Sequence, residues 1–378
     1  MKPPETVCNG CGAPLPVLLD EPFCRDGHAP RIAPVDTPGV KIEIEAGPES
    51  AWRYERALPL PPTTRPISLG EGWVPLEVLS LPGLLDGVHA LRDDLEPTGS
   101  WKDRGSTFLI SAMTAAGWHD LVLDSAGNGA LSTAHYAREA GSRLHVFAPD
   151  SSPKVYLEML EEQGATVETV KDPSAARRAA MQAVREGAVL ASHASQPLHA
   201  AGAATAAFNI VEKLGRVPEA VVLPVGNGGL LAGLVAGFAA LAANGHDIPP
   251  RMIGIQPRRC APLVRAFRGE IFSNPPNIPA RPVSATEAFV ASPLRRREAL
   301  AAVEQTVGMF DEVDDLALDR SLRLLWREGY RVEATAALPV AWLLGEGRRI
   351  LENKVEDIVV ILTGAGVREG RNLDPHLI

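Results

Sequence analysis

Short apolar runs alternate with longer amphipathic segments along most of the chain. The short runs end at glycine-rich or polar turns, which is typical of buried strands, and the longer segments have the apolar spacing of helices. The strands predicted in this way are residues 121–123, 143–148, 188–192, 220–223 and 358–361. The predicted helices are residues 107–116, 131–140, 172–186, 205–214 and 230–243.

This alternation predicts an α/β fold. Strands that alternate with helices form a mainly parallel sheet with helices on both faces, and such folds bind ligands at the carboxyl ends of their strands. The chain has 378 residues, of which 46% are hydrophobic, so it can build two domains with a sizeable core. Glycine-containing motifs at the strand ends are therefore the first candidates for function.

One lysine, Lys102, lies behind a turn at the predicted start of a helix. Pro97 and Gly99 interrupt the chain before it, Ser100 is a good N-cap residue, and the residues that follow are apolar. Burial lowers the pKa of an ammonium group, and the neutral amine is the form that makes a Schiff base with the aldehyde of pyridoxal phosphate. Alternatively, the side chain extends to solvent or pairs with Asp103.

A glycine-rich loop follows the predicted strand at 220–223. Residues 224–230 read Pro-Val-Gly-Asn-Gly-Gly-Leu and lead into the predicted helix. Glycines allow backbone N–H groups to converge on an anion, and a helix N-terminus adds the positive end of its dipole. The loop therefore suits a phosphate, although a tight turn without a ligand has the same pattern. It is not a Walker loop, because no Lys-Ser or Lys-Thr follows, and it lacks the GxGxxG spacing.

Two further turns follow predicted strands. Residues 124–130 read Asp-Ser-Ala-Gly-Asn-Gly-Ala, and Asn128 offers both a donor and an acceptor to a ring hydroxyl. Residues 362–366 read Leu-Thr-Gly-Ala-Gly, and the hydroxyl of Thr363 suits a ring nitrogen. Both have an ordinary alternative, because Asn-Gly pairs and threonines are common in turns.

These four sites together resemble those of threonine synthase and its relatives among the fold type II pyridoxal phosphate enzymes. PTGSWKDRG is similar to the family's PTGSFKDRG, SAGNGALS to SSGNTSAS, and LTGAG to LTGHG, while PVGNGGL is nearly unchanged. The resemblance spans roughly residues 65–370. Several matches in the same order are far more specific than any one of them.

The resemblance implies a role for each matching residue. Lys102 would form the Schiff base with pyridoxal phosphate and then move the α proton as general base and acid. Asn128 would bind the phenolic oxygen of the cofactor, and Thr363 would face its pyridine nitrogen. The cofactor phosphate would be bound by Gly226, Asn227, Gly228 and Gly229. The candidates for substrate binding are Ser125, Gly127, Gly129 and Arg104, the last being the candidate cation closest in sequence to the lysine.

The same resemblance implies the arrangement of the domains. It predicts two open, mainly parallel, three-layer αβα domains with the cofactor cleft between them and a small N-terminal cysteine ribbon. The predicted ranges are 1–40 for the ribbon, 41–110 with 205–378 for a large cofactor-binding domain, and 111–204 for a small mobile domain. A homodimer that acts on a small amino acid is also expected from the family.

The leading hypothesis is an elimination and addition at the β or γ carbon of that amino acid, as in the conversion of O-phosphohomoserine to threonine. The chain departs from the family at Gly129, where threonine or serine is common, at Ala365, where histidine is frequent, and at Ala201 and Ala204, where the family often reads EGxKT. Loss of these polar groups favours an alternative, a β-elimination or β-replacement on a serine-derived or diamino acid substrate. A non-catalytic homologue that binds the cofactor or an amino acid is the alternative of another class.

The N-terminus carries a separate set of candidate ligands. Cys8 and Cys11 form one pair, and Cys24 and His28 form another, with twelve residues between the pairs. Three thiolates and one imidazole suit tetrahedral structural zinc. The alternatives are a ribbon that has lost its metal and a disulfide between two of the cysteines.

Charge and hydropathy exclude several other classes. The net charge of −9 argues against a nucleic-acid partner. Residues 1–16 lack the pattern of a signal peptide, and the longest apolar run, 230–243, is too short to cross a bilayer. We therefore expect a cytoplasmic protein with reduced thiols and no membrane partner.

Overall fold

The computed structural model describes residues 5–8, 10–19, 24, 47–270, 285–351, 355 and 357–366. The strands in these ranges are β1 (Glu5–Val7), β2 (Pro14–Pro16), β3 (Leu76–Val78), β4 (Val88–Leu91), β5 (Asp120–Leu123), β6 (Arg143–Pro149), β7 (Thr166–Val170), β8 (Val189–Leu190), β9 (Ala220–Pro224), β10 (Arg251–Pro257), β11 (Met309–Val313) and β12 (Ile358–Ile361). The α-helices are α1 (Asp103–Ala115), α2 (Asn128–Glu139), α3 (Lys154–Glu162), α4 (Pro173–Arg185), α5 (Pro197–Gly202), α6 (Thr205–Leu214), α7 (Gly229–Ala243), α8 (Pro262–Phe267), α9 (Arg296–Gln305), α10 (Asp315–Arg327), α11 (Ala334–Leu343) and α12 (Glu346–Leu351). Short 3-10 helices occur at Ala51–Ala57, Asp93–Leu95, Arg258–Cys260 and Thr286–Ala288.

The chain divides into two compact units. The first consists of Met1–Trp73 and Glu96–Phe208, and the second of Val74–Leu95 and Asn209–Ile378. Each unit therefore contains two separate stretches of sequence. The division expected from the family, 41–110 with 205–378 against 111–204, stays a prediction about the domains.

The first unit contains a four-stranded parallel sheet in the order β7-β6-β5-β8. Alternate residues of its strands point to opposite faces, as the pleat requires. Leu121 and Val146 belong to the core formed with α1, α2 and α3, whereas Val122 and Leu190 belong to the core formed with α4. The sheet is therefore the middle of three layers.

The second unit contains a six-stranded sheet in the order β11-β10-β9-β12-β4-β3. All neighbouring strands are parallel except β3, which pairs antiparallel with β4 at the edge. Val222, Ile255 and Val360 pack on one face with the helices α10, α11 and α12, while α7, α8 and α9 contact the strands as well. The predicted α/β fold with two mainly parallel sheets is confirmed.

Most of the predicted elements are present, and two local predictions need correction. The helix α6 has the predicted bounds, and Asp172 caps α4 by accepting a hydrogen bond from the backbone N–H of Ala175 at 2.8 Å. The strand predicted at 188–192 is shorter, because only Val189–Leu190 pairs with β5. Ser100 is not an N-cap, because α1 begins three residues later, at Asp103.

Among the described residues, no helix combines the length and the apolar character that a membrane crossing needs.

Candidate active site

Lys102 immediately precedes the buried helix α1. Its backbone is already helical, with φ −59° and ψ −27°, and its side chain is almost completely buried. The Nζ atom lies 4.5 Å from the centre of the Trp101 ring. The turn before it uses Gly99 at φ +72°, a conformation that glycine adopts without strain. The predicted turn and helix start are therefore both present around this lysine.

A buried carboxylate, Asp103, ties this turn to its surroundings. Oδ2 accepts the backbone N–H of Thr98 at 2.7 Å, and Oδ1 accepts the hydroxyls of Thr98 at 2.5 Å and Ser132 at 2.6 Å. Burial raises the pKa of Asp103 to about 6, although the hydrogen bonds from Ser132 and Thr98 act in the opposite direction and the charge of Glu71 adds to the rise. Because Asp103 follows Lys102 directly, this network holds the lysine's backbone in place.

Arg104 is completely buried, and its charge is compensated inside the first unit. Its Nε lies 3.3 Å from Oε1 of Glu96, and its Nη1 donates to the carbonyl of Gly72 at 3.0 Å and to Oγ1 of Thr205 at 3.4 Å. The hydrogen bonds to Gly72 and Thr205 link the segment of the Arg104–Glu96 ion pair to two segments that are distant in sequence. The role of Arg104 as a cation for the substrate stays a prediction.

The loop that contains Asn128 lies at the carboxyl end of β5. Gly127 is the N-cap of α2, and Asn128 is its first residue and is buried. Ser125 and Gly127 are half-buried, whereas Gly129 is buried. Since β8 is the parallel neighbour of β5, the loop after β8 reaches the same edge of the sheet.

The glycine loop at 225–228 connects β9 to α7 and is crowded at its two glycines, Gly226 and Gly228. Gly228, the N-cap of α7, has φ +89°, and a Cβ there would lie 3.1 Å from the Cβ of Ala299. A Cβ on Gly226 would lie 2.7 Å from the carbonyl oxygen of Glu287. Gly229 is the first residue of the 15-residue helix, so the N-terminus of α7 faces this loop. The backbone here can approach an anion closely.

Asn227 fastens the glycine loop to the segment that precedes α9. Its Oδ1 accepts the N–H of Leu294 at 3.2 Å, and its carbonyl accepts the N–H of Arg295 at 3.3 Å. Arg295 is completely buried and pairs with Glu298 at 2.8 Å. The sequence did not point to Arg295, because this residue begins a run of three arginines, a pattern typical of a solvent-exposed surface.

Thr363 follows β12, the neighbour of β9, and therefore lies at the same sheet edge as the glycine loop. It is buried, and its hydroxyl has no hydrogen-bond partner among the residues that the structure describes. The carboxylate of Glu333 is buried beside it, since a Cβ on Gly364 would lie 2.6 Å from Cδ of Glu333. The backbone N–H of Glu333 donates to the carbonyl of Gly364 at 2.9 Å.

The structure brings the candidate residues together in two groups. Lys102, Arg104 and the loop of Asn128 belong to the first unit, and the glycine loop and Thr363 belong to the second. In each unit the residues lie at the ends of neighbouring elements, as the topology of a parallel sheet requires.

Three of the positions that depart from the family are buried, and the fourth, Ala365, is half-buried. Ala201 and Ala204 are completely buried, the first in the core with Phe108 and the second at the join of α5 and α6. Ala365 pairs with Val332 in an isolated antiparallel bridge. The three alanines therefore present methyl groups, and Gly129 presents no side chain, where the family often has polar side chains.

Three of the four predicted metal ligands cluster at the N-terminus. The Sγ atoms of Cys8, Cys11 and Cys24 all lie within 4.8 Å of one another, on and after the β1–β2 hairpin. Burial raises the pKa of the Cys8 thiol, but hydrogen bonds from the N–H groups of Cys11 and Gly10 and from the neighbouring thiols lower it to about 6. The fourth predicted ligand, His28, lies outside the described residues.

Comparison with known proteins shows the family of the chain. A family model described as pyridoxal-phosphate dependent enzyme matches residues 67–364. The threonine synthase of Methanocaldococcus jannaschii is 31% identical over 337 residues, which cover 84% of this chain and 80% of that protein. The threonine synthase of Synechocystis sp. is 32% identical over 333 residues and covers 84% of each chain.

A solved structure shows the same fold. Threonine deaminase isoform 2 from Solanum lycopersicum superposes with a TM-score of 0.65 at 24% identity, covering 77% of this chain and 79% of that one. The resemblance identified from the motifs is therefore confirmed. The chain belongs to the pyridoxal-phosphate dependent enzyme family, with the fold type II architecture, and is threonine synthase-like.

Proposed function

We propose that this chain is a pyridoxal phosphate-dependent lyase of the threonine synthase type, which converts O-phosphohomoserine and water to threonine and phosphate. The observation that carries the proposal is the identity of 31 to 32% to threonine synthases over 84% of the chain, with Lys102 at the start of the buried helix α1. A buried amine at a fixed position is the group that this chemistry needs.

The residues present fit the cofactor. The buried hydroxyl of Thr363, which has no partner among the described residues, can meet the pyridine nitrogen. The loop of Gly226, Asn227 and Gly228 and the N-terminus of α7 at Gly229 can take the phosphate, and Asn128 can bind the phenolic oxygen. When bound, pyridoxal phosphate supplies an electron sink for the carbanion left when the α proton departs.

Lys102 and Thr363 have different roles in this proposal. The amine of Lys102 would hold the cofactor covalently and would carry the α proton away and back. Its position at the helix start is fixed by the hydrogen bonds of Asp103. Thr363 offers a hydroxyl, which does not hold the ring nitrogen protonated as a carboxylate would. A less complete withdrawal of charge favours expulsion of a leaving group over transamination.

A second candidate is a β-elimination or β-replacement on a serine-derived or diamino acid substrate. It is favoured by the absence of polar side chains at three positions, because Gly129 has no side chain and Ala201 and Ala204 end in buried methyl groups. A phosphate leaving group needs polar or cationic partners, and these positions supply none. Both candidates begin with removal of the α proton, and they differ in the substrate and in the carbon, γ or β, that loses its leaving group.

The test begins with the visible absorbance of the purified protein. The band of a Schiff base is expected in the unmodified chain and in Lys154→Ala, a matched control that removes an exposed lysine paired with Glu158, and not in Lys102→Ala. O-phosphohomoserine, O-phosphoserine, threonine and diaminopropionate are then added separately.

A band that only O-phosphohomoserine changes, with release of phosphate, supports the threonine synthase activity. A band that responds to diaminopropionate and to neither phosphorylated substrate supports the second candidate, whose argument is the lack of polar partners for a phosphate leaving group. A chain without the band contradicts the cofactor assignment, and one that binds cofactor and amino acids without turnover is a binding homologue.

We also propose that the chain is cytoplasmic and that it forms a homodimer, the latter as the family resemblance implies. The mass measured by light scattering would then be twice the 40.2 kDa of one chain. A mass equal to that of one chain would contradict the dimer.

For the N-terminal ribbon we propose structural zinc held by Cys8, Cys11, Cys24 and His28. The close approach of the three thiols supports it, since three sulfurs within 4.8 Å can share one tetrahedral ion. About one zinc per chain is expected by elemental analysis, lost in Cys11→Ser and kept in Cys260→Ser, which alters a buried cysteine of the other unit. Protein purified without added chelator that holds no zinc would contradict this site.

A further inference from the structure

His193 belongs to none of the motifs described above, and it lies at the carboxyl-end edge of the four-stranded sheet of the first unit. It follows β8 in the loop that leads to α5, and β8 is the parallel neighbour of β5. The loop after β5 carries Asn128 and Gly129. The topology therefore brings His193 beside the loop that the family uses for the substrate.

The imidazole of His193 occupies the space that a side chain at position 129 would need. A Cβ built on Gly129 would lie 2.2 Å from Nδ1, 2.5 Å from Cε1 and 2.7 Å from Cγ of His193. Such distances are far below van der Waals contact, so the position accepts glycine alone while the ring is present. The glycine at 129 and the nearby imidazole are thus two parts of one arrangement.

The ring is held as a neutral group. Burial and then the charges of Lys102 and His199 lower the pKa of His193 well below its usual range. The rings of His193 and His199 meet edge to face, with centroids 5.9 Å apart. A neutral imidazole keeps one donor and one acceptor, and it adds no positive charge beside the lysine.

The surroundings favour a negatively charged group of a ligand. Nδ1 of His193 faces position 129, is enclosed and has no hydrogen-bond partner among the described residues. The donor toward a ligand is therefore the other ring nitrogen, Nε2, on a side chain that is half-buried. The same edge holds the N-terminus of the 12-residue helix α2, which begins at Asn128. The positive end of a helix dipole and a neutral N–H donor both suit a carboxylate, the anionic group that every amino acid substrate carries.

We propose that His193 is a substrate-positioning residue that replaces the missing hydroxyl side chain at position 129 and donates a hydrogen bond to the carboxylate of the amino acid. This inference rests on the proposed function, since it assigns a residue to the substrate end of that site. It also explains how the chain can lack threonine or serine at position 129 and still present a polar group there.

The test exchanges the two side chains. The variants are His193→Ala, Gly129→Thr and the double variant, with His119→Ala as a control that removes an exposed histidine of the same unit. The first readout is thermal unfolding. Gly129→Thr is expected to lower the melting temperature because the new side chain clashes with His193. In the double variant the decrease in melting temperature is expected to be smaller than the sum of the two single decreases.

The second readout is binding. L-threonine and 1-amino-2-propanol, which lacks the carboxylate, are titrated against the absorbance band of Lys102. His193→Ala is expected to weaken the binding of L-threonine about tenfold, which corresponds to the loss of one hydrogen bond to a charged group. The affinity for the amino alcohol is expected to stay unchanged. The double variant is expected to bind L-threonine more tightly than His193→Ala, because the hydroxyl returns.

The outcomes separate this inference from the function on which it rests. Equal L-threonine affinity in the unmodified chain and in His193→Ala, with the band intact, overturns the inference alone. Equal weakening of both ligands in His193→Ala, or strictly additive losses of stability in the double variant, also overturns it. Absence of the band from the unmodified chain overturns the proposed function itself.

Discussion

Replacing Gly202 by alanine tests how tightly α1 is held behind Lys102. A Cβ at position 202 would lie 2.3 Å from the carbonyl oxygen of Arg104, 2.8 Å from Cα of Gly105 and 3.0 Å from Cδ2 of Phe108. Two of these atoms belong to the backbone of α1 and cannot rotate away. Because ordinary contacts are about 3.5 Å or longer, α5 and α1 must separate by roughly 1 Å.

That separation should weaken the first unit and disturb the lysine. Overpacking of this kind lowers the free energy of unfolding by about 1 to 3 kcal/mol. Since α1 begins one residue after Lys102, its shift should also reduce the amplitude of the Schiff-base band. The assays are denaturant unfolding and the absorbance spectrum of the same preparations.

Gly345→Ala is the matched control. A Cβ there would meet nothing closer than the carbonyl oxygen of Ala341 at 3.6 Å, and the backbone has no positive φ. This variant should be unchanged or stabilised by up to about 1 kcal/mol, through lower entropy of the unfolded chain. If Gly202→Ala unfolds at the same denaturant concentration as this control and keeps the full band, the argument from close helix packing is refuted.

Three further changes test other parts of the molecule. Asp103→Asn removes a carboxyl whose pKa of about 6 in the folded chain exceeds its unfolded value of 3.8. The free energy of unfolding of the unmodified chain, relative to that of the variant, should therefore be greatest below pH 4 and fall by about 3 kcal/mol as the pH rises through 6. Denaturant unfolding at several pH values measures this difference, and a difference that does not depend on pH would contradict the raised pKa. Trp342→Phe removes a buried N–H that donates to Asp311 at 2.8 Å and should lower the free energy of unfolding by about 2 kcal/mol, whereas an unchanged denaturation midpoint would show that this bond contributes nothing. Gly226→Ala should push the glycine loop away from the carbonyl of Glu287 and weaken the binding of pyridoxal phosphate at least severalfold, measured by titration. An unchanged affinity would show that this loop does not belong to the proposed site.

The periodicity of the sequence predicted most elements of the fold because it is a local property. A strand of four apolar residues or an amphipathic helix such as α6 is encoded by residues that are neighbours in the chain. The glycine loop at 225–228 was predicted for the same reason, since the strand, the glycines and the helix that follows are contiguous. The positive φ of Gly228 shows why a glycine stands there.

Local signals failed where the structure depends on pairing between distant segments. Ser100 has the chemistry of an N-cap, yet α1 begins at Asp103, whose carboxylate is held by Thr98 and by Ser132 of another helix. The strand at 188–192 is shorter than its apolar residues suggest, because pairing with β5 covers only Val189–Leu190. In both cases tertiary contacts prevail over the local preference.

The sequence by itself determined the class of fold, the family and the principal candidate residues, because these are written in short contiguous motifs around Lys102, Asn128, the glycine loop and Thr363. Only the tertiary structure decided what surrounds them. Arg104 is neutralised by Glu96, and the space of a side chain at Gly129 is filled by His193 from 64 positions further along the chain. No pattern within a window of sequence can show the contact with His193, since it arises when the parallel strands β5 and β8 bring the ends of remote segments to one edge of a sheet, and the complete burial of the Arg104–Glu96 pair is likewise set by the surrounding fold.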